Sequence, residues 1–167
     1  PDDLQLLKGG PEHRRAYLDL YLAQTNPPYR HALLSYHRLL AQRNEGLRRL
    51  RDGLAGRDEL AVWNETLVAK ATELARRRIG ALEALGPLVS SYHQRLSGGS
   101  EQVGLVYLLG GRSPATIQTD LAAHFRTQLA AREREEIARG LTIVGPHRDD
   151  LGIGFRSEEH TSELQSL

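Results

Sequence analysis

Apolar positions recur at helical spacing through most of the chain and at strand spacing only in short stretches after Gly98. Gly9-Gly10-Pro11-Glu12 opens a helix, with proline at its first position and an acid where the dipole favours one. It runs to about Thr25, where Asn26-Pro27-Pro28 stops it. A second helix runs from Pro28 to about Asp52. Its Leu33, Tyr36, Leu40, Leu47, Leu50 and Leu54 alternate in steps of three and four, a coiled-coil seam of three heptads broken at Arg43. Gly53-Leu-Ala-Gly56 reverses the chain into a third helix from about Asp58 to Leu85, with Trp63, Leu67, Ala71, Leu74, Ala75, Leu82 and Leu85 on its apolar side. The two helices pack antiparallel as an arm of roughly 35–40 Å.

Gly86-Pro87 ends that helix and restarts a shorter one to about Arg95. Beyond Gly98-Gly99, residues 103–108 read as a strand. Ser113-Pro114 starts a helix carrying Ile117, Leu121, Phe125 and Leu129 to Arg139, and segments 141–144 and 151–155 read as further strands. The fold class is therefore mostly α with some β: an antiparallel helical arm plus short strands. These divide as residues 1–25 (connecting helix), 26–96 (arm), 97–140 (turn, strand and helix returning) and 141–155 (strands).

Composition narrows the chemistry. There is no cysteine among the 167 residues, which excludes disulfides and thiolate metal sites, and no apolar run nears the roughly 20 residues that span a bilayer. A soluble cytoplasmic protein is the expectation. The net charge is +1, and all basic residues but Lys8 and Lys70 are arginines. This balance permits a nucleic-acid partner without demanding one.

The densest functional cluster is Gly145-Pro-His-Arg-Asp-Asp150. His147 with Asp149 and Asp150 has ligand chemistry, but adjacent carboxylates on extended chain point to opposite faces. A structural or interface turn is the stronger alternative, with Arg148 pairing to an acid and Asp149 and Asp150 capping backbone amides. Lys8, Arg14 and Arg15 could contact phosphates. Equally, the first helix could be a solvated start with internal ion pairs to Glu12 and Asp19. Of Arg76-Arg-Arg78, at least one must lie near the apolar side, expected to snorkel. The remaining histidines, His13, His31, His37, His93 and His124, show no metal spacing. Leu96-Ser-Gly-Gly99 matches the start of the ABC-type ATPase signature, but Ser100-Glu101 replaces the expected Gln and a strand-like run follows, so it reads as a Ser-Gly-Gly turn.

Several segments together carry a family likeness: residues 1–19 around Gly9-Gly10-Pro11-Glu12-His-Arg-Arg, Tyr36-His-Arg-Leu-Leu-Ala-Gln-Arg-Asn44, Val62-Trp-Asn-Glu-Thr-Leu67, and Leu141-Thr-Ile-Val-Gly-Pro-His-Arg-Asp-Asp-Leu151. Over roughly residues 1–155 the chain resembles the bacterial RecF family of SMC/ABC-type ATPases. The resemblance implies the helical second lobe of such an ATPase, joined to part of its first lobe. It also implies an ATP- and Mg-dependent, DNA-binding homodimer acting in replication, recombinational gap repair and the SOS response. RecO and RecR would be partners in loading RecA on single-stranded DNA. The intact family member would be a weak DNA-dependent ATPase. The phosphate loop, the functional signature and the Mg-binding acid cannot be read in this sequence, so the span by itself is expected to hold no nucleotide and to be inactive. The resemblance makes Lys8, Arg14, Arg15, His147 and Arg148 the candidates for DNA or interface contact, with no catalytic or metal residue assigned. The other class of reading is a stand-alone coiled-coil interaction module.

The sequence is expected to be an internal fragment, since it opens at Pro1 and contains no Met. Arg156-Ser-Glu-Glu-His-Thr-Ser-Glu-Leu-Gln-Ser166 reads like a translated sequencing adapter, which makes 156–167 a non-native tail. Without it, 21 basic against 18 acidic side chains leave +3.

Overall fold

The computed structural model describes residues 9–98, 101–117 and 120–157. The expectations for Lys8 and for most of the tail fall outside these residues. Helix α1, Pro11–Thr25, begins with proline and Glu12 in its first turn and buries Leu18 and Leu22. Asn26 ends α1 and caps helix α2, Pro27–Arg51, its side chain accepting from Tyr29 N at 3.0 Å. The buried stripe of α2 is Tyr29, Ala32, Tyr36, Leu39, Arg43 and Leu47. It shares Tyr36 and Leu47 with the expected seam but takes Ala32 and Leu39, one residue back, in place of Leu33 and Leu40. Leu33 and Leu40 only flank it, and Leu54 is 71% exposed. Tyrosine and alanine shift the centre of the face, and Arg43 occupies it instead of interrupting it.

After the turn at Gly53 (φ 74°), helix α3 runs without interruption from Arg57 to Ser97. The break expected at Gly86-Pro87 does not occur. A glycine before proline lacks the Cβ that would clash with the ring, so the helical conformation at residue 86 remains open. Gly98 (φ 71°) caps the helix in the left-handed conformation. Ser97 thus closes a helix, where an ABC signature would open one.

Strand β1, Glu101–Leu108, pairs antiparallel with β2, Asp150–Ser157, in a register that sets Val103 opposite Phe155 and Tyr107 opposite Leu151. β2 thus takes in Arg156 and Ser157, the first two residues assigned to the tail. Gly110 and Gly111 turn the chain, a 3-10 turn covers Pro114–Thr116, and helix α4, Leu121–Arg139, follows an Asp120 cap. Residues 141–144, expected as a strand, form no ladder. Two of their backbone donors go to side chains instead, Thr142 N to Asn44 Oδ1 at 2.8 Å and Ile143 N to Glu136 Oε1 at 2.8 Å, while Leu141 N donates to the Glu136 carbonyl at 3.1 Å.

One apolar core joins all four helices and the sheet. Leu18 of α1, Leu39 of α2, Leu74 of α3, Phe125 of α4, Tyr107 of β1 and Leu151 of β2 belong to a single cluster. Each such fully buried large side chain contributes roughly 1.5–3 kcal/mol. Among the described residues no helix is long and apolar enough to cross a membrane.

Candidate functional site

Three segments distant in sequence meet at the Gly145–Asp150 turn. Gly145 (φ 131°) admits no side chain, since a Cβ there would lie 2.5 Å from the Tyr36 hydroxyl oxygen. That close approach lets Tyr36 and His147 meet: the Tyr36 hydroxyl lies 2.6 Å from His147 Nδ1, and His147 Nε2 lies 3.0 Å from the Thr142 carbonyl. A carbonyl only accepts, so Nε2 carries the proton and Nδ1 accepts from Tyr36, which is the neutral imidazole. Burial, with help from the charges of Arg148, His37 and Arg15, lowers the pKa of His147 to about 4 even though the bond to Thr142 opposes the shift.

Arg78 forms the hub beneath the turn. Its Nε and Nη2 donate to the two carboxylate oxygens of Asp19 at 3.0 and 2.8 Å. Its Nε also donates to the Tyr29 hydroxyl at 3.0 Å. Its Nη1 reaches the Tyr107 hydroxyl at 3.0 Å and the Pro146 carbonyl at 2.7 Å. The Tyr29 hydroxyl donates in turn to Asp19 through a very short bond. Tyr107 passes the network on to Asp149 Oδ2 at 2.9 Å, and Asp149 Oδ1 accepts from Gly110 N at 3.0 Å. Burial raises the Asp149 carboxyl to about 6 despite these donors and the charges of Arg78 and Arg15. The Arg76–Arg78 run does place one arginine on the apolar side, but Arg78 is only 2% exposed. Its head is fully bonded inside the protein and does not snorkel.

A second buried network lies beside the first. Arg43 donates to Asn64 Oδ1 (3.0 Å), Thr142 Oγ1 (2.7 Å) and Glu136 Oε2 (2.6 Å), with neither member of the Arg43–Glu136 pair exposed. Thr142 Oγ1 donates to Asn44 Oδ1 at 2.7 Å. These side chains tie α2, α3, α4 and the loop together.

The sequence candidates are placed as follows. Arg14 forms a two-pronged pair with Asp150, at 2.9 and 2.7 Å, and donates to the Gly9 carbonyl at 2.7 Å. Arg15 donates to the Asp149 carbonyl at 2.6 Å. Both cations are thus drawn to the turn, and among the described residues the expected pairing of α1 with its own acids is seen for His13 with Glu12, at 3.3 Å. Asp149 and Asp150 each accept from a backbone amide, Gly110 N and Leu151 N. The acid pairing expected of Arg148 is taken by Arg14, which leaves Arg148 exposed. No group of three or more His, Cys, Asp or Glu among the described residues could hold a metal, since both ring nitrogens of His147 are engaged and the two aspartates face different partners.

The sequence reading missed Asp19, Tyr29, Tyr107 and Glu136 as members of this site. Two signals were present: an arginine inside an apolar stripe at Arg43, and a three-arginine run too wide for one solvated face at Arg76–Arg78. What the assembly does chemically is hold a turn in one orientation with charge-assisted bonds.

The opposed shifts of His147 and Asp149 give a testable pH dependence. His147, depressed from an ordinary 6.5, adds stability above that value that is lost as pH falls towards 4. Asp149, raised from 3.8, adds stability at low pH that is lost as pH rises through 6. Each is worth about 3 kcal/mol, so the two largely offset each other between pH 4 and 6. In His147→Gln only the second remains. Its urea midpoint is expected to fall between pH 4.5 and 6.0 relative to the parent's; parallel pH profiles would rule the effect out.

The chain is 43% identical over 153 residues to the DNA replication and repair protein RecF of Heliobacterium modesticaldum, covering 92% of this chain and 41% of that protein. It is 40% identical over 151 residues to RecF of Geobacter sulfurreducens, covering 90% of this chain and 40% of the relative. It thus spans about two-fifths of the length of the curated relatives it matches. Among solved structures it superposes on the recombination mediator protein RecF with ATP in the RecFOR pathway, with a TM-score of 0.84 and 26% identity over 98% of this chain and 44% of that one. The corresponding RecF-ATPrS structure gives 0.83 and 25%, with the same coverage. No protein-family model matches.

Proposed function

By sequence the chain belongs to the RecF family of DNA replication and repair proteins over nine-tenths of its length, and from that premise we propose that it supplies the helical second lobe of an ATP-dependent DNA-binding ATPase. Residues 26–96 form the arm, residues 1–25 and 97–140 connect it, and residues 141–155 return to the ATPase lobe. In this reading the whole protein dimerises around ATP and Mg in the bacterial cytoplasm. With RecO and RecR it helps load RecA at gapped DNA, in recombinational repair and the SOS response. Lys8, Arg14, Arg15, His147 and Arg148 mark the DNA or dimer-facing region.

The observation that carries the reading is the convergence on the Gly145–Asp150 turn. Tyr36 of the arm, Arg78 of α3 and Arg14 and Arg15 of α1 all bond to it. An arm whose polar groups end in that turn is suited to reporting its orientation to whatever the strands join. The same convergence weighs against a self-contained coiled-coil module, whose helices would be satisfied by each other.

Phosphoryl transfer needs a phosphate loop, and no Gly-x-x-x-x-Gly-Lys-Ser/Thr occurs in the 167 residues. The purified chain is therefore expected to release no phosphate from ATP above a no-protein control. In the same assay, the gene product extended to the full length of its relatives is expected to turn over ATP faster when DNA is added. Turnover by the 167-residue chain, or an extended protein indifferent to both ATP and DNA, would overturn the proposal.

A further inference from the structure

Between the Gly110-Gly111 turn, α4 and the Gly145–Asp150 turn lies a cleft of about 420 Å³. Leu109 and Phe125, both buried, line it with Val144. Its polar lining carries three arginines, Arg112, Arg132 and Arg148, with His124 and Gln128 beside them. Two acids also reach it, and both already have partners, one of them a cation of the cleft itself. Glu135 pairs with Arg132 at 2.9 Å and Arg139 at 2.8 Å. The Asp149 carboxylate accepts from Tyr107 and Gly110.

Most arginines of this chain near an acid are paired with it, among them Arg14, Arg43, Arg78 and Arg126. Arg112 and Arg148 are exposed, and among the described residues neither side chain has an ion pair or a hydrogen bond. They reach the same cleft from two different turns. Each turn is fixed: Gly110 is tied to Asp149, and Arg148 N donates to the Gly145 carbonyl at 2.8 Å. Two guanidinium forks held on rigid turns with no protein acceptor suit an oxyanion with several acceptor oxygens. Burial and the Arg112 charge depress the pKa of His124, so that its neutral ring offers a single N–H.

We propose that this cleft binds a phosphate group, gripped by Arg112 and Arg148, with Arg132, His124 and Gln128 completing the donor set. Its size admits one phosphate with a sugar attached. The phosphate comes either from a small phosphorylated ligand or from the backbone of a single strand.

The test uses the 167-residue chain and its Arg112→Gln, Arg148→Gln and Arg134→Gln variants. Arg134 stands on the same helix, is exposed and does not line the cleft. Binding of pyrophosphate is followed by calorimetry, and binding of a fluorescent single-stranded oligonucleotide by anisotropy. Circular dichroism checks that each variant keeps the parent's helicity. Loss of about tenfold in affinity in Arg112→Gln and Arg148→Gln, with Arg134→Gln unchanged, is the expected result. Seen with pyrophosphate, it assigns the site to a small ligand; seen only with the oligonucleotide, it assigns the site to backbone phosphate. No binding of either probe, or equal weakening by all three substitutions, overturns the proposal. The pyrophosphate titration involves neither DNA nor ATP turnover, so its failure is separate from any failure of the family reading.

Discussion

Replacing Arg78 with methionine will destabilise the chain by about 3–5 kcal/mol, at the upper end for a single substitution. Methionine fills much of the volume and keeps the apolar stem, so the loss is chiefly that of the donors. Without the guanidinium, the Asp19 carboxylate stands largely buried with only the Tyr29 hydroxyl to answer it. The Pro146 carbonyl and the Tyr107 hydroxyl lose a partner in the same stroke. Stranding a buried acceptor costs more than its bond returned. Arg78→Lys is expected to recover only part of the loss, because an ammonium cannot serve both oxygens of Asp19 and three further acceptors in the plane of a fork. Urea unfolding followed by circular dichroism measures both variants. A loss below about 1 kcal/mol in the methionine variant would mean that desolvating Arg78 costs nearly all that its bonds supply.

Glu136→Gln will cost a comparable amount, about 3–5 kcal/mol, for a different reason. Glutamine keeps the shape and can still accept from Ile143 N, so the backbone bond survives. What disappears is the carboxylate paired with Arg43, leaving a wholly buried guanidinium with neutral partners, Asn64 and Thr142. The double substitution Arg43→Met with Glu136→Met removes both charges and is expected to be less damaging than the sum of its single changes, since neither charge is left alone. Additive losses in that cycle would show the pair to be uncoupled.

Most elements with local causes were legible in the sequence: the proline-started α1, the asparagine between α1 and α2, the glycine-closed end of α4 and both paired strands. Their boundaries follow from caps and steric stops that act within a few residues. The break expected at Gly86-Pro87 and the helix start expected at Ser113-Pro114 were local misreadings; the others share a different origin. Arg43 looks like a fault in an apolar seam until Glu136, 93 residues away, supplies its charge. Residues 141–144 have strand-like side chains, but their amides are claimed by Asn44 and Glu136. The span 145–150 was legible as a structural turn with capping aspartates. That Arg14, and not Arg148, would hold Asp150 depends on an approach across 136 positions. Pattern and propensity register none of these partners, since each becomes a neighbour only after the chain has closed.

The continuity of α3 has a mechanical meaning. Its 41 residues make a rod of roughly 60 Å, with α2 along one stretch and the sheet along another. A joint at Gly86-Pro87 would have let the arm swing while the strands stayed still. With a single helix instead, a push at the Gly53–Gly56 tip acts as torque on a lever, and β1 sits on the same beam. A displacement of the tip is therefore delivered to the sheet as a tilt through the same angle, with a smaller shift the nearer the sheet lies to the pivot.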